Sequence, residues 1–308
     1  MLPNSVRNIV VAIESQADAA YVFKKVRALL AAVDSDRPAV HVVRVVHEAI
    51  ADLNTRYVER SPELKSLILQ GAQTELVDIL DDCAGGIDRL ESMALWNANT
   101  WEGILHFAEA NSADLIVKAS HWEGSTRGIG RTPDDWNLLR HATVPVLLVK
   151  DSAWPATPKL VAAVDAFDEN HGGLGVDILS WAGALREALK GVDLDIVSVY
   201  PHMQPWIGEL GAGAGNVGLR DGIVKEVEAE IVRFARAAEV DAYHLRVEEG
   251  PTVRAIGGVV ESDRANLLVI GTHARDGVRG VLLGNTAEKL LFEIDVDVLV
   301  VRGAGQAD

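Results

Sequence analysis

The chain has 308 residues, 48% of them apolar and 24% charged, with a formal net charge of −16. That length suits two domains of ordinary size, and the composition is that of a globular protein with its own core. The acidic balance argues against a nucleic-acid partner, whose phosphate backbone is held by clustered Lys and Arg, yet it leaves a single nucleotide within reach of local backbone donors.

The opening MLPNSVRNIVVAIE lacks a basic lead and a cleavage site, so no signal peptide is expected. A first strand, IVVAIES (Ile9 to Ser15), ends in the acid Glu14, and a helical stretch covers Asp18 to Val33. HVVRVVHE (His41 to Glu48) reads as a second strand whose two histidines are too far apart to share a metal. A long connection, HEAIADLNTRYVERSPEL, leads to a helix over Glu63 to Leu80. The one cysteine, Cys83, excludes an internal disulfide and fits a reducing compartment, so the cytoplasm is the expected location. ADLIVKASH (Ala113 to His121) and VPVLLVK (Val144 to Lys150) are further strands, and the acids Asp81 and Asp134 read as helix-end residues. A connector with Pro155 and Pro158 follows.

The pattern then recurs. LVAAVDA (Leu160 to Ala166) ends in Asp165, matching the strand that ends in Glu14. A helix over Leu174 to Lys190 and a strand LDIVSV ending at Val199 come next. An insert with two prolines and GAGAG spans Tyr200 to Arg220, and a helix covers Gly222 to Ala238. ANLLVIGTH (Ala265 to His273) repeats ADLIVKASH at 273 − 121 = 152 residues, and VDVLVVR (Val296 to Arg302) repeats VPVLLVK at the same spacing. Two homologous domains are expected, over 1–152 and 153–308. Apolar runs alternating with helices predict, in each, a doubly wound α/β fold with five parallel strands and right-handed crossovers. No apolar run is long enough to span a membrane. In such sheets a ligand sits beyond the C-terminal strand ends.

At these residues the chain resembles the universal stress protein family, and TPDDWNLLR, VKDSAWP and LGNTAEKLL point to its tandem two-domain UspE-like type. The resemblance covers nearly the whole chain and implies Rossmann-like domains of the adenine nucleotide alpha hydrolase-like kind. Their fourth strand is typically followed by G-x-x-G-x9-G-[ST]. In IGTHARDGVRGVLLGNTAEKLL, Gly271 and Gly284 stand at the first and third glycines, Ala274 replaces the second, and Asn285 stands where Ser or Thr is usual. The resemblance therefore implies a candidate ATP site, with Mg²⁺, in the second half. Gly271, Thr272, Arg275, Gly284, Asn285 and Thr286 would surround the phosphates, Asp165 would lie near the base, and Val199 with the EGPTV turn (Glu249 to Val253) would form further walls. In the first half Ala119, Trp122 and Thr132 occupy the glycine positions, and Pro133 with Thr132 suits a helix start, so no nucleotide is expected there. His121 and His273 are expected to pack in loops.

No nucleophile elbow, general base or Mg²⁺ ligand set is legible, so a binding or regulatory protein is expected rather than a dedicated enzyme, with slow ATP hydrolysis left open. The insert brings Met203, Trp206, Ile207 and Leu210 beside the expected ligand mouth, which keeps a carrier of an amphipathic ligand as an alternative. A pure interaction module is the other. The apolar last strands, Val146 to Val149 and Val298 to Val301, are expected to pair into an intrachain pseudo-dimer, with a further homodimer left open.

Overall fold

The computed structural model describes residues 6–31, 37–46, 61–120, 134–167, 172–201, 215–272 and 285–303. They fall into two compact units, residues 2–153 and Trp154 onward.

In the first unit the elements run β1 (Asn8–Ala12), α1 (Gln16–Leu30), β2 (Ala39–Val46), α2 (Pro62–Cys83), β3 (Leu90–Trp96), α3 (Thr100–Ala110), β4 (Leu115–Ala119), α4 (Asp134–His141) and β5 (Val146–Val149). The strands lie in the order β3-β2-β1-β4-β5, and each pairing is parallel, with Ile9 beside Val40 on one side and Leu115 on the other. Consecutive residues Ile9, Val10 and Val11 are fully buried, as an unbroken apolar run requires when helices cover both faces of a sheet. The helices start where side chains can replace missing backbone partners. Ser15 and Asp18 form a reciprocal capping box at α1, and Ser61 Oγ accepts from Leu64 N at 3.3 Å ahead of Pro62 at the start of α2.

The second unit repeats the plan with β6 (Leu160–Ala163), α5 (Gly172–Ala188), β7 (Leu194–Tyr200), α6 (Gly215–Ala237), β8 (His244–Glu249), α7 (Thr252–Ser262), β9 (Leu267–Thr272), α8 (Asn285–Glu293) and β10 (Asp297–Arg302). Its order is β8-β7-β6-β9-β10, again parallel. Helix α5 packs with α6, and α7 with α8. The direction of winding reverses between β6 and β9, so the crevice at their C-terminal ends is where this topology places a ligand.

Most helix and strand limits fall within a few residues of the sequence expectation, and the largest shift is at the start of α6. Helix α6 begins at Gly215 rather than Gly222, taking in the last residues of the glycine-rich insert. Gly215, Gly218 and Gly222 weaken helix propensity, but propensity is a weak prior beside packing, and Val227, Ile231 and Phe234 bury the helix's inner face. The apolar residues of that insert, Met203, Trp206, Ile207 and Leu210, lie outside the described residues, as do residues 47–60 of the first-half connection. Among the described residues, no helix is long and apolar enough to cross a membrane.

Candidate functional site

The C-terminal strand ends of the second unit build a groove from two adjoining cavities. Strand β6 delivers Asp165 two residues past its end, where Oδ1 accepts from Phe167 N at 2.9 Å and turns the chain. Strand β7 delivers Val199 and Tyr200. Strand β8 leaves the sheet through Gly250, whose φ of +135° admits little but glycine and whose N–H donates to the Tyr200 carbonyl at 3.0 Å. These residues, with Pro251, Thr252 and Ile223 of α6, enclose a cavity of about 590 Å³. Its wall is mostly apolar: Phe167 is 45% exposed, a large aromatic ring left open to solvent at the mouth.

A polar array stands behind that wall. The Tyr200 hydroxyl donates to Glu249 Oε2 at 3.4 Å, and Arg220 Nη2 holds the same carboxylate at 2.8 and 3.1 Å. Burial, with the Glu249 carboxylate beside it, pushes the Tyr200 phenol above its ordinary value, so it stays a neutral donor.

The second cavity, about 550 Å³, shares Pro251 and Thr252 with the first. Val253 and Arg254 of α7 line one side, and Thr286, Lys289 and Glu293 of α8 the other. Residue Pro251 occupies the cap position of α7 and supplies no side-chain acceptor. The first N–H groups of α7 therefore face the groove without a side-chain cap, with the positive end of the helix dipole behind them.

The residues expected from the sequence are distributed unevenly around this groove. Asp165 and Val199 line the first cavity and Thr286 the second. Asn285 opens α8. Neither Gly271 nor Thr272 lines either of these two cavities. A Cβ on Gly271 would lie 2.7 Å from the terminal methyls of both Leu174 and Ile178 of α5, so the glycine lets the helix pack closely on the sheet without displacing them. Thr272, the next residue on β9, points to the opposite face and is buried. Arg275 and Gly284 lie outside the described residues, together with His273 and Ala274. Phe167, Tyr200, Ile223, Arg254, Lys289 and Glu293 escaped the sequence reading. Arg254 was nonetheless one residue beyond the EGPTV turn, and Lys289 three beyond Thr286.

The first unit differs at the same place. Lys118 on β4 is buried, with Nζ 2.7 Å from Glu14 Oε1 and 2.9 Å from Asp135 Oδ1. Burial works against the ammonium, but the carboxylates of Asp135 and Glu14 outweigh it and hold the lysine above its ordinary value. The acid ending the first strand is thus engaged by a buried cation. In the second unit the repeat positions of Lys118 and Asp135 carry Ile270 and Ala287, both buried and apolar. Ala119 is buried, and His121, Trp122, Thr132 and Pro133 lie outside the described residues. Cys83 is a free thiol whose carbonyl accepts from Arg27 Nη1 at 2.6 Å, and His41 Nε2 lies 3.4 Å from Asn8 Oδ1. Among the described residues no three His, Cys, Asp or Glu side chains converge as a metal site.

Comparison with known proteins agrees with this architecture. The model of the universal stress protein family matches residues 5–150 and again 159–302. A universal stress protein E homolog of Haemophilus influenzae is 27% identical over 256 residues, 81% of this chain and 82% of its own length. Universal stress protein E of Salmonella typhi is 28% identical over 219 residues, 69% of this chain and 68% of its own. Among solved structures, a putative universal stress protein from Pseudomonas aeruginosa UCBPP-PA14 superposes with a TM-score of 0.69 at 25% identity, covering 97% of this chain and 94% of that one. A functionally unknown protein from Pseudomonas aeruginosa PAO1 superposes with a TM-score of 0.70, also at 25% identity, covering 97% and 93%.

Proposed function

The chain belongs to the universal stress protein family, and from that premise we propose that its second domain binds an adenine nucleotide and acts through binding rather than catalysis. The observation that supports this reading is the two-part groove at the C-terminal strand ends of the second domain, which begins at the end of β6 and runs over the ends of β7 and β8 to α8. One part is apolar with a single acid, and the other carries more polar and charged side chains and lies between the start of α7 and the length of α8. A base fits the first part: Phe167, Val199 and Ile223 offer apolar surface to its faces, and Oδ2 of Asp165 can accept from an amino group at its edge. Phosphates fit the second, beside Thr286, and the family motif suggests Asn285, Arg275 and Gly284 as further partners, whereas Gly271 packs against α5 and Thr272 is buried away from the groove. Mg²⁺ would travel with the phosphates. The first domain is left without a nucleotide, because Lys118 and Asp135 fill its strand end with an internal ion pair.

The apolar wall around Phe167 favours one second reading, an amphipathic ligand held by its apolar end. Calorimetric titration with ATP separates the two, alongside mass spectrometry of whatever the gently purified protein releases on denaturation. ATP binding to wild type, weakened at least tenfold in Asp165→Ala, is the expected result. A released lipid-like molecule with no ATP binding would replace the nucleotide by an amphipathic ligand. No release and no binding would leave an interaction module.

A further inference from the structure

The two domains carry opposite charge at matching places around the groove. At the repeat spacing, Arg254, Thr286 and Lys289 of the second domain correspond to Glu102, Asp134 and Asn137 of the first. The helices agree in register, since α3 and α7 both begin at the repeat-equivalent threonines Thr100 and Thr252. One domain thus has two cations and a hydroxyl where the other has two acids and an amide. Both Arg254 and Lys289 are exposed and line the 550 Å³ cavity from facing helices, and among the described residues neither has an ion pair. Two cations against the single acid Glu293, in a cavity that also receives the uncapped N-terminus of α7, leave a local positive excess in a chain of formal charge −16. Glu293 closes the far end of the cavity and sets a limit to how far an anion can extend.

We propose that Arg254 and Lys289 form a subsite for the terminal phosphate of a ligand bearing two or more linked phosphates. The proposal rests on the nucleotide reading above and deepens it. The base pocket and the cationic cavity share Pro251 and Thr252, so a ligand seated in the first projects its tail across Thr252 into the second. Adenosine ends before the cations, and a polyphosphate tail reaches them. The same positions in the first domain, bearing Glu102 and Asp134, repel such a tail, which assigns anion binding to the second domain alone.

Titration of the full-length chain with adenosine, AMP and ATP tests this, in wild type and in the double variant Arg254→Gln/Lys289→Gln. Both residues are exposed on helix surfaces, so the variant should melt unchanged without ligand. The expected result is wild-type affinity rising from adenosine through AMP to ATP. The double variant should lose about tenfold or more in ATP affinity, as for charge-assisted contacts, with adenosine unchanged. Added salt should weaken ATP in wild type and leave adenosine alone. Glu293→Gln should bind ATP no worse than wild type. Equal affinity for adenosine and ATP, or an ATP affinity indifferent to the double substitution, overturns the subsite while the nucleotide reading stands. Absence of binding by all three ligands overturns both.

Discussion

Replacing Lys118 with Met removes the charge that organises the first domain's strand end while keeping most of the side chain's volume. The ammonium is 3% accessible and lies 2.7 Å from Glu14 and 2.9 Å from Asp135, whose side chains are 40% and 11% accessible. Glu14 can turn into water once the cation is gone, and Asp135 cannot, so the loss falls mainly on Asp135. Stranding one member of a buried pair costs about 3–5 kcal/mol. The place of Asp135 in the first turn of α4 returns up to about 1 kcal/mol through the helix dipole, and the freedom of Glu14 reduces the loss further. A net loss of about 2–3 kcal/mol remains, a fall of roughly 4–12 °C in the midpoint of a domain this size. Hydrogen exchange of β4 and α4 amides against urea reads the first domain by itself.

The pH dependence has a definite sign. A lysine raised above its ordinary value of 10.5 contributes stability that is fully present below that value and lost only as pH rises through the higher folded value. The gap between wild type and variant should therefore stay constant between about pH 7 and pH 10 and close only in stronger base. Lys118→Ile/Asp135→Ala installs the residues that the second domain carries at the same positions, Ile270 and Ala287. Exchanging a buried ion pair for apolar groups is often neutral, so the double variant should recover most of the loss. A single variant that loses less than about 0.5 kcal/mol, or a double variant as damaged as the sum of both single changes, would refute the ion pair's role.

Two other substitutions test what packs and ties the second domain together. Gly271→Ala should cost about 1–3 kcal/mol by overpacking against Leu174 and Ile178, and Ile178→Val in the same chain should relieve part of it, both read by urea midpoints. Trp154→Phe removes the indole N–H that donates to Asp297 Oδ2 at 2.7 Å. Because Asp297 is fully buried, thermal melting should show a loss of about 1–3 kcal/mol, and an unchanged midpoint would mean that other partners suffice.

The fold was legible because two strong signals coincided: unbroken Val, Ile and Leu runs that become strands buried on both faces, and a self-match at a spacing of 152 that doubled every observation. Asp165 and Val199 were singled out through the family resemblance, and the topology, which brings the ends of the first two strands together, puts both in the wall of the first cavity. Gly271 shows the limit of motif reading. A glycine at a motif position signals close approach of something, and here the structure supplies Leu174 and Ile178 of α5 as that something. The Lys118–Asp135 pair was hidden for a different reason. The acid sits where a helix-capping charge is expected, in the first turn of α4, and only the fold shows that a strand lysine 17 residues earlier turns the same way. The charge reversal around the groove was present in the sequence, since Glu102 and Arg254 stand one repeat apart. It went unread because the repeat was compared at its strands, where apolar residues match and must match. The two domains differ in charge at the helix starts, where the core constrains little and a single exposed side chain can change sign at little cost to the fold.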